Sequence, residues 1–147
     1  MSENDILTKA QERAREMGLS YEGALSPQEA HALLQQSGAK LVDVRSRAEL
    51  DFVGRIPGSV EIEWKSYPGM LPNPNFVQQL TQQVPPDARV MFICRSGGRS
   101  HEAALAARKA GFKSYNVLEG FEGDRDPSGH RNTVGGWRAA RLPWVQS

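Results

Sequence analysis

Short apolar runs alternate with amphipathic segments along this chain, and each change of pattern marks a change of predicted element. The runs at 41–44, 90–93 and 115–118 have strand length and the β-branched or aromatic residues of buried strands. Segments with apolar residues at helical spacing, or with high helix propensity, separate them. Strands that alternate with helices favour parallel pairing. The pattern therefore predicts an α/β fold, a central and mostly parallel sheet flanked by helices on both faces.

Residues 4–17 form a polar segment with apolar side chains at roughly helical spacing. The apolar positions are Ile6, Leu7, Ala10, Ala14 and Met17. This spacing predicts an amphipathic helix that ends near Gly18. We therefore divide the chain into an N-terminal amphipathic helical extension, residues 1–19, and a globular domain, residues 20–147. We expect the extension to pack on the surface of that domain rather than to serve as a partner-binding arm.

Two later helices are expected to begin at recognisable capping residues. Ser26 and Glu29 form a capping box around a proline, so a helix should begin there. The Asn73-Pro74 pair predicts the start of another helix, which would run to about Gln83. Both helices would bury their apolar positions against the sheet.

Length and charge narrow the classes of function. At 147 residues with a formal charge of +1, the chain suits one domain with its own core and with both signs of charge mixed. This balance gives no electrostatic reason to expect nucleic acid or an anionic membrane as a partner. No apolar stretch approaches membrane-spanning length, and the first five residues lack the features of a signal peptide.

The cysteine count and one acidic loop bear on redox chemistry and on metals. A single cysteine excludes an internal disulfide and suits a reducing, cytoplasmic environment. Asp124, Asp126 and His130 lie close enough in sequence to reach one ion. However, no second cluster completes a ligand shell, and turn-forming residues explain the loop. We therefore expect neither a metal nor another cofactor.

The single cysteine, Cys94, lies at a predicted turn between a buried strand and an alanine-rich helix at 101–110. Gly97 and Gly98 follow it, and adjacent glycines let backbone N–H groups converge on one point before the helix. The helix dipole and these N–H groups would favour the thiolate form of the cysteine.

A lone cysteine after an apolar strand is commonly just a small buried hydrophobic residue. Here two arginines, Arg95 and Arg99, stand within five residues of Cys94, together with the glycine pair. A core cysteine needs none of these neighbours, whereas an activated thiolate uses all of them. The sequence therefore favours a catalytic nucleophile.

The loop Cys94-Arg95-Ser96-Gly97-Gly98-Arg99-Ser100 resembles the active-site loop of the rhodanese (sulfurtransferase) family. The other matching pieces, in the order of the family, are 41–45, 54–60 and 117–121. Together they cover about residues 20–122. The tail, residues 122–147, resembles the ending of small single-domain bacterial rhodaneses, in which a glycine commonly stands in place of Arg141.

The resemblance implies a rhodanese-like fold and a sulfurtransferase activity. The Cys94 thiolate would take a sulfane sulfur from a donor such as thiosulfate and become a persulfide. The acceptor would be cyanide, a small thiol or a sulfur-accepting protein. Arg95 is expected to face outward and meet the donor, and Arg99 to close the loop. The substrate-binding residues would be Arg95, Ser96, Gly97, Gly98, Arg99 and Ser100.

Two other classes of function stay open on the sequence. A cysteine-dependent phosphatase or arsenate reductase uses the same thiolate chemistry on a tetrahedral oxyanion. Phosphatase loops are one residue longer than this one, which has four residues between Cys94 and Arg99, so the cradle here should be tighter. A non-catalytic rhodanese-like interaction module is the third class. The complete loop argues against it, because such a module needs no nucleophile.

Three residues outside the loop are candidates for a supporting role. Asp43 and Arg45 end a predicted parallel strand, at the edge of the sheet that carries the chemistry in such folds. For Asp43, a loop-orienting acceptor and a plain strand-end carboxylate both stay open. Arg45 is expected to form an ion pair with Glu49, four residues on. Trp64 would line either the mouth of the site or the edge of the core.

Overall fold

The structure is a computed structural model and describes residues 2–146, within which the chain forms five helices and seven strands. The helices are α1 (Glu3–Met17), α2 (Pro27–Gln36), α3 (Arg47–Phe52), α4 (Phe76–Gln83) and α5 (Gly98–Lys109). The strands are β1 (Gly23–Leu25), β2 (Lys40–Asp43), β3 (Val60–Glu61), β4 (Lys65–Ser66), β5 (Leu71–Pro72), β6 (Arg89–Ile93) and β7 (Lys113–Val117).

A parallel sheet forms the centre of the fold. Its strand order is β1-β7-β6-β2-β3, and all four pairings are parallel. The short strands β4 and β5 form a separate antiparallel pair. The predicted parallel sheet is therefore confirmed, with β1 as an edge strand that the sequence analysis did not predict. The carboxyl ends of the parallel strands meet at one edge, so the segments that follow β2, β6 and β7 lie together there.

Two apolar layers cover the two faces of the sheet. On β6, Met91 and Ile93 point into the layer that contains α1 and α2. Val90 and Phe92 point into the other layer, which contains α4 and α5. This alternation follows from the two-residue period of a strand. Helices thus lie on both faces, as predicted.

The N-terminal helix α1 is part of the first layer. Ser2 caps its start, and Gly18 ends it in the left-handed conformation with φ 69°. Ile6 and Ala10 are buried among the residues of that layer, so the helix packs on the domain as expected. The boundary after residue 19 stays a prediction. Neither α1 nor any other helix described between residues 2 and 146 is long and apolar enough to cross a membrane.

The tail after β7 returns to the core instead of leaving the domain. Trp137 is buried in the same layer as α1, and its indole N–H donates to the Pro143 carbonyl at 2.8 Å. Further along, Trp144 packs edge-on against Phe121, and Val145 forms a backbone bridge with Arg55. The tail therefore contributes a large buried aromatic residue to the fold.

Two predicted helix starts are wrong. Asn73 does not cap α4, because its side chain donates to the Glu63 carbonyl and accepts from the Asn75 amide. The helix consequently begins at Phe76. In the other case, α5 begins at Gly98 and thus earlier than expected, since Gly97 takes the cap position with φ 114°.

Candidate active site

Cys94 directly follows β6, in the turn that leads into α5. The residue is 1% exposed. Its Sγ accepts a hydrogen bond from the Gly97 amide at 3.1 Å, and Ser100 Oγ lies 3.3 Å from it. The first N–H groups of a helix lack partners within the helix and carry partial positive charge. The sulfur atom is therefore placed where negative charge is stabilised.

The two glycines of the loop differ in what they contribute. Gly97 has φ 114°, a conformation that strains any residue with a Cβ. Gly98 has no positive φ, and a Cβ built on it would meet no atom within 4 Å. The turn therefore requires a glycine at position 97 and does not require one at 98.

The segment after β7 supports the cysteine loop through its backbone. The Phe121 amide donates to the Cys94 carbonyl at 2.8 Å, and the Glu122 amide donates to the Arg95 carbonyl at 3.0 Å. Gly120 has φ 64°, and a Cβ on it would lie 2.5 Å from the Cys94 carbonyl oxygen. This close approach explains why glycine occupies position 120.

The tail supports the same segment from its other side. The Trp137 amide donates to the Gly120 carbonyl at 2.8 Å, and the Arg138 amide donates to the Phe121 carbonyl at 3.1 Å. A side chain also joins the two segments, because a Glu119 carboxylate oxygen accepts from the Gly136 amide at 2.9 Å. The tail thus reaches the cysteine loop through one intervening segment.

Arg99 is held by a carboxylate that the sequence analysis did not assign to it. Its two terminal nitrogens donate to the two oxygens of Glu49 at 2.7 and 2.9 Å. Burial alone would raise the pKa of Glu49, but hydrogen bonds and charge from Arg99, with hydrogen bonds from Ser46, lower that pKa to about 2. Glu49 is therefore a fixed negative charge that orients the arginine closing the loop.

The predicted ion pair between Arg45 and Glu49 is wrong. Arg45 instead pairs with Asp43, with Nε 2.9 Å from Oδ1 and Nη2 2.7 Å from Oδ2. Residues two apart at a strand end point to the same side, whereas Glu49 lies in the first turn of α3 and faces Arg99. The guanidinium also lies 4.0 Å from the ring centroid of Phe121.

The buried Asp43–Arg45 pair reaches the loop only indirectly. Both side chains are fully buried, and Arg45 also donates to the Gly54 carbonyl at 2.8 Å. The contact with Phe121 is the link, because the amide of that residue binds the Cys94 carbonyl. This arrangement favours a structural role for Asp43 over direct orientation of the loop.

Trp64 and Tyr67 lie in different places, the first at the edge of the core and the second at the mouth of the site. The Trp64 ring packs edge-on against Phe76 at 4.9 Å, and its N–H donates to Glu102 at 2.9 Å. Trp64 therefore belongs to the edge of the core. Tyr67, in the turn between β4 and β5, lines the cleft beside the cysteine loop.

A cleft of about 660 Å³ opens beside the loop. Arg95 lines the cleft and is exposed, as expected for a residue that faces outward, whereas the charge of Arg99 is paired with Glu49. Phe52, which is 80% exposed, contributes to an apolar rim. The lining residues are Ser46, Ala48, Glu49, Phe52, Val53, Tyr67, Met70, Arg95, Arg99 and Glu122. A smaller cavity of about 340 Å³ borders the loop at Ser96, Gly97 and Gly98.

The fold and this site define a rhodanese-like protein. The family model described as "Rhodanese-like domain" matches residues 26–125, and the chain therefore belongs to the rhodanese-like domain family. The matched region contains the cysteine loop and ends at residue 125, before Trp137. The resemblance identified from the sequence is confirmed.

Three comparisons place the chain among its relatives. The crystal structure of Rv0390 from M. tuberculosis is 43% identical with a TM-score of 0.79, and the match covers 87% of this chain and 100% of that one. An uncharacterized protein of Rickettsia conorii is 32% identical over 133 residues, which are 86% of this chain and 98% of that protein. Thiosulfate sulfurtransferase 16, chloroplastic, of Arabidopsis thaliana is 30% identical over 93 residues, 62% of this chain and 76% of that protein. The family thus includes sulfurtransferases.

Proposed function

We propose that this protein is a thiosulfate sulfurtransferase that carries sulfane sulfur as a persulfide on Cys94. The observation that carries the proposal is the position of Cys94 Sγ at the N-terminus of α5, where it accepts from the Gly97 amide. Arg95 lines the adjacent cleft and supplies positive charge for an anionic donor, and Arg99 closes the loop while paired with Glu49. A buried structural cysteine would use neither the helix terminus nor this charge.

The reaction divides into two displacement steps. In the first, the Cys94 thiolate attacks the outer sulfur of thiosulfate, the S–S bond of the donor breaks, and sulfite leaves with the bonding electron pair. Arg95 meets the incoming dianion, and the N-terminus of α5 stabilises the new persulfide anion. In the second step, the acceptor attacks the outer sulfur, and Cys94 Sγ leaves as a thiolate.

The acceptor is cyanide, a small thiol or a thiol on a partner protein. A cleft of about 660 Å³ is larger than thiosulfate or cyanide needs, and it has the size of typical small-molecule sites. Its apolar rim at Phe52, Tyr67 and Met70 would accommodate the carbon skeleton of a thiol. The single free cysteine suits the reducing environment of the cytoplasm.

The phosphatase alternative has less support. Four residues separate Cys94 from Arg99, one fewer than in phosphatase loops, so the loop forms a tighter cradle than a phosphoryl group with in-line access needs. A phosphatase also needs a proton donor for the leaving group. The carboxylate of Asp126 accepts from the Ser128 and His130 amides, which commits it to its own loop.

The test compares two reactions in one preparation. We expect sulfur transfer from thiosulfate to cyanide, measured as thiocyanate, to exceed hydrolysis of an aryl phosphate under the same conditions. Cys94→Ser is the control, because oxygen is nearly isosteric with sulfur and cannot carry the persulfide. It should abolish the transfer and keep the unfolding transition. Faster phosphate hydrolysis than sulfur transfer, or transfer by the serine variant near the wild-type rate, would overturn the proposal.

A further inference from the structure

The hydroxyl of Ser100 lies among three hydrogen-bond acceptors and has only one hydrogen to donate. Asn116 Oδ1 is 2.5 Å from Ser100 Oγ, the Gly97 carbonyl oxygen is 3.2 Å away, and Cys94 Sγ is 3.3 Å away. Ser100 and Asn116 are both buried. The direction of this one hydrogen therefore depends on which acceptor is available.

Two of the three acceptors already have donors. The Gly97 carbonyl accepts from the His101 amide at 3.1 Å and from the side-chain amide of Asn116 at 3.3 Å, which occupies its two lone pairs. Cys94 Sγ accepts from the Gly97 amide. Because the NH₂ group of Asn116 faces a carbonyl, its oxygen faces Ser100. The Ser100 hydrogen thus points to Asn116, away from the sulfur.

We propose that Asn116 is a positioning residue that holds the Ser100 hydrogen away from Cys94 Sγ while the thiolate attacks the donor. Asn116 is suited to this role because it lies on β7 beside the central strand, in register with Phe92. This inference rests on the sulfurtransferase function proposed above.

Removing the acceptor at position 116 should change the two half-reactions in opposite directions. In Asn116→Leu the freed hydroxyl donates to Cys94 Sγ throughout the cycle. A thiolate that receives an extra hydrogen bond is a weaker nucleophile, so the pH-independent plateau rate of loading by thiosulfate should fall roughly fivefold. The same hydrogen bond makes Sγ a better leaving group, so discharge of the persulfide to cyanide should accelerate by roughly the same factor.

The experiment measures each half-reaction in a single turnover by rapid quenching and intact-protein mass. Wild type, Asn116→Leu, Ser100→Ala and the double variant are compared. In the Ser100→Ala background the substitution at 116 should leave the ratio of the two rates unchanged, because no hydroxyl remains to redirect. If Asn116→Leu does not fold, Asn116→Val replaces it. Circular dichroism of the two variants decides which one is used.

Parallel slowing of both half-reactions, or the same change of ratio in the Ser100→Ala background, would overturn the inference and indicate a packing role for Asn116. A wild type that takes up no sulfur would refute the proposed function instead. In that case the inference about Asn116 is tested by the rate of Cys94 alkylation with iodoacetamide, measured in the pH range where this rate no longer changes with pH. Asn116→Leu should lower that rate roughly fivefold only when Ser100 is present. An unchanged rate would overturn it.

Discussion

Replacing Glu49 by glutamine should destabilise the fold by an amount that depends on pH. The side chains of Arg99 and Glu49 are only 14% and 20% exposed, so solvent screens this pair weakly. Glutamine keeps the shape of glutamate and removes the charge. The partly buried guanidinium of Arg99 would then lose its anionic partner, and this loss is the costly part of the change.

The magnitude follows from the pKa of Glu49. A carboxyl group whose pKa falls from 4.5 to about 2 on folding is stabilised as an anion in the native state. At about 1.4 kcal/mol per pH unit, this difference corresponds to roughly 3 kcal/mol. Because the folded pKa lies below the unfolded one, the contribution is fully present above about pH 4.5. It is lost as the pH falls towards 2.

The assay is urea-induced unfolding of the wild type and Glu49→Gln at pH 7, pH 4 and pH 2.5. The difference in unfolding free energy should be roughly 3 kcal/mol at pH 7 and should shrink steadily at the two lower values. Glu12→Gln, at an exposed position of α1, is the matched control and should differ from wild type by no more than about 0.5 kcal/mol. A Glu49→Gln difference that is the same at all three pH values would refute the reasoning.

Three further changes test individual contacts. Arg95→Ala should raise KM for thiosulfate severalfold with little change in kcat, because Arg95 meets the donor at the cleft, and a loss confined to kcat would contradict this. Arg141→Gly should raise the free energy of unfolding by roughly 1 kcal/mol, since Arg141 has φ 61°, and a lower unfolding free energy would contradict this. Gly120→Ala should lower kcat roughly tenfold or more by displacing the Cys94 carbonyl. Gly129→Ala, with φ 82° and no atom within 4 Å of the added carbon, is its control and should retain activity.

The parts of the fold that depend on local pattern could be predicted from the sequence. The parallel sheet follows from apolar runs separated by helical segments, and the same pattern places Cys94 correctly at the turn between β6 and α5. The inward packing of α1 also follows from sequence spacing, and the outward position of Arg95 follows from its place early in the loop. These features need no knowledge of which distant residues meet.

The parts that depend on tertiary contact could not be read from spacing. Spacing along the chain predicts an ion pair between Arg45 and Glu49. The fold instead brings Glu49 to Arg99, which is fifty residues away. The capping box at Ser46 and Glu49 is a local signal for the start of α3, and it shows that Glu49 belongs to a helix N-terminus. Asn116 carried no signal, because a polar residue inside a strand is recognised as part of a site only when its neighbours are known.

The central claim is that Cys94 carries sulfur, and the mass of the intact protein tests it most directly. Wild-type protein is incubated with thiosulfate, freed of small molecules and measured beside Cys94→Ser treated in the same way. The account predicts a gain of one sulfur atom in the wild type, removed by cyanide with formation of thiocyanate, and no gain in the serine variant. An unchanged wild-type mass, or an equal gain in Cys94→Ser, would contradict the account.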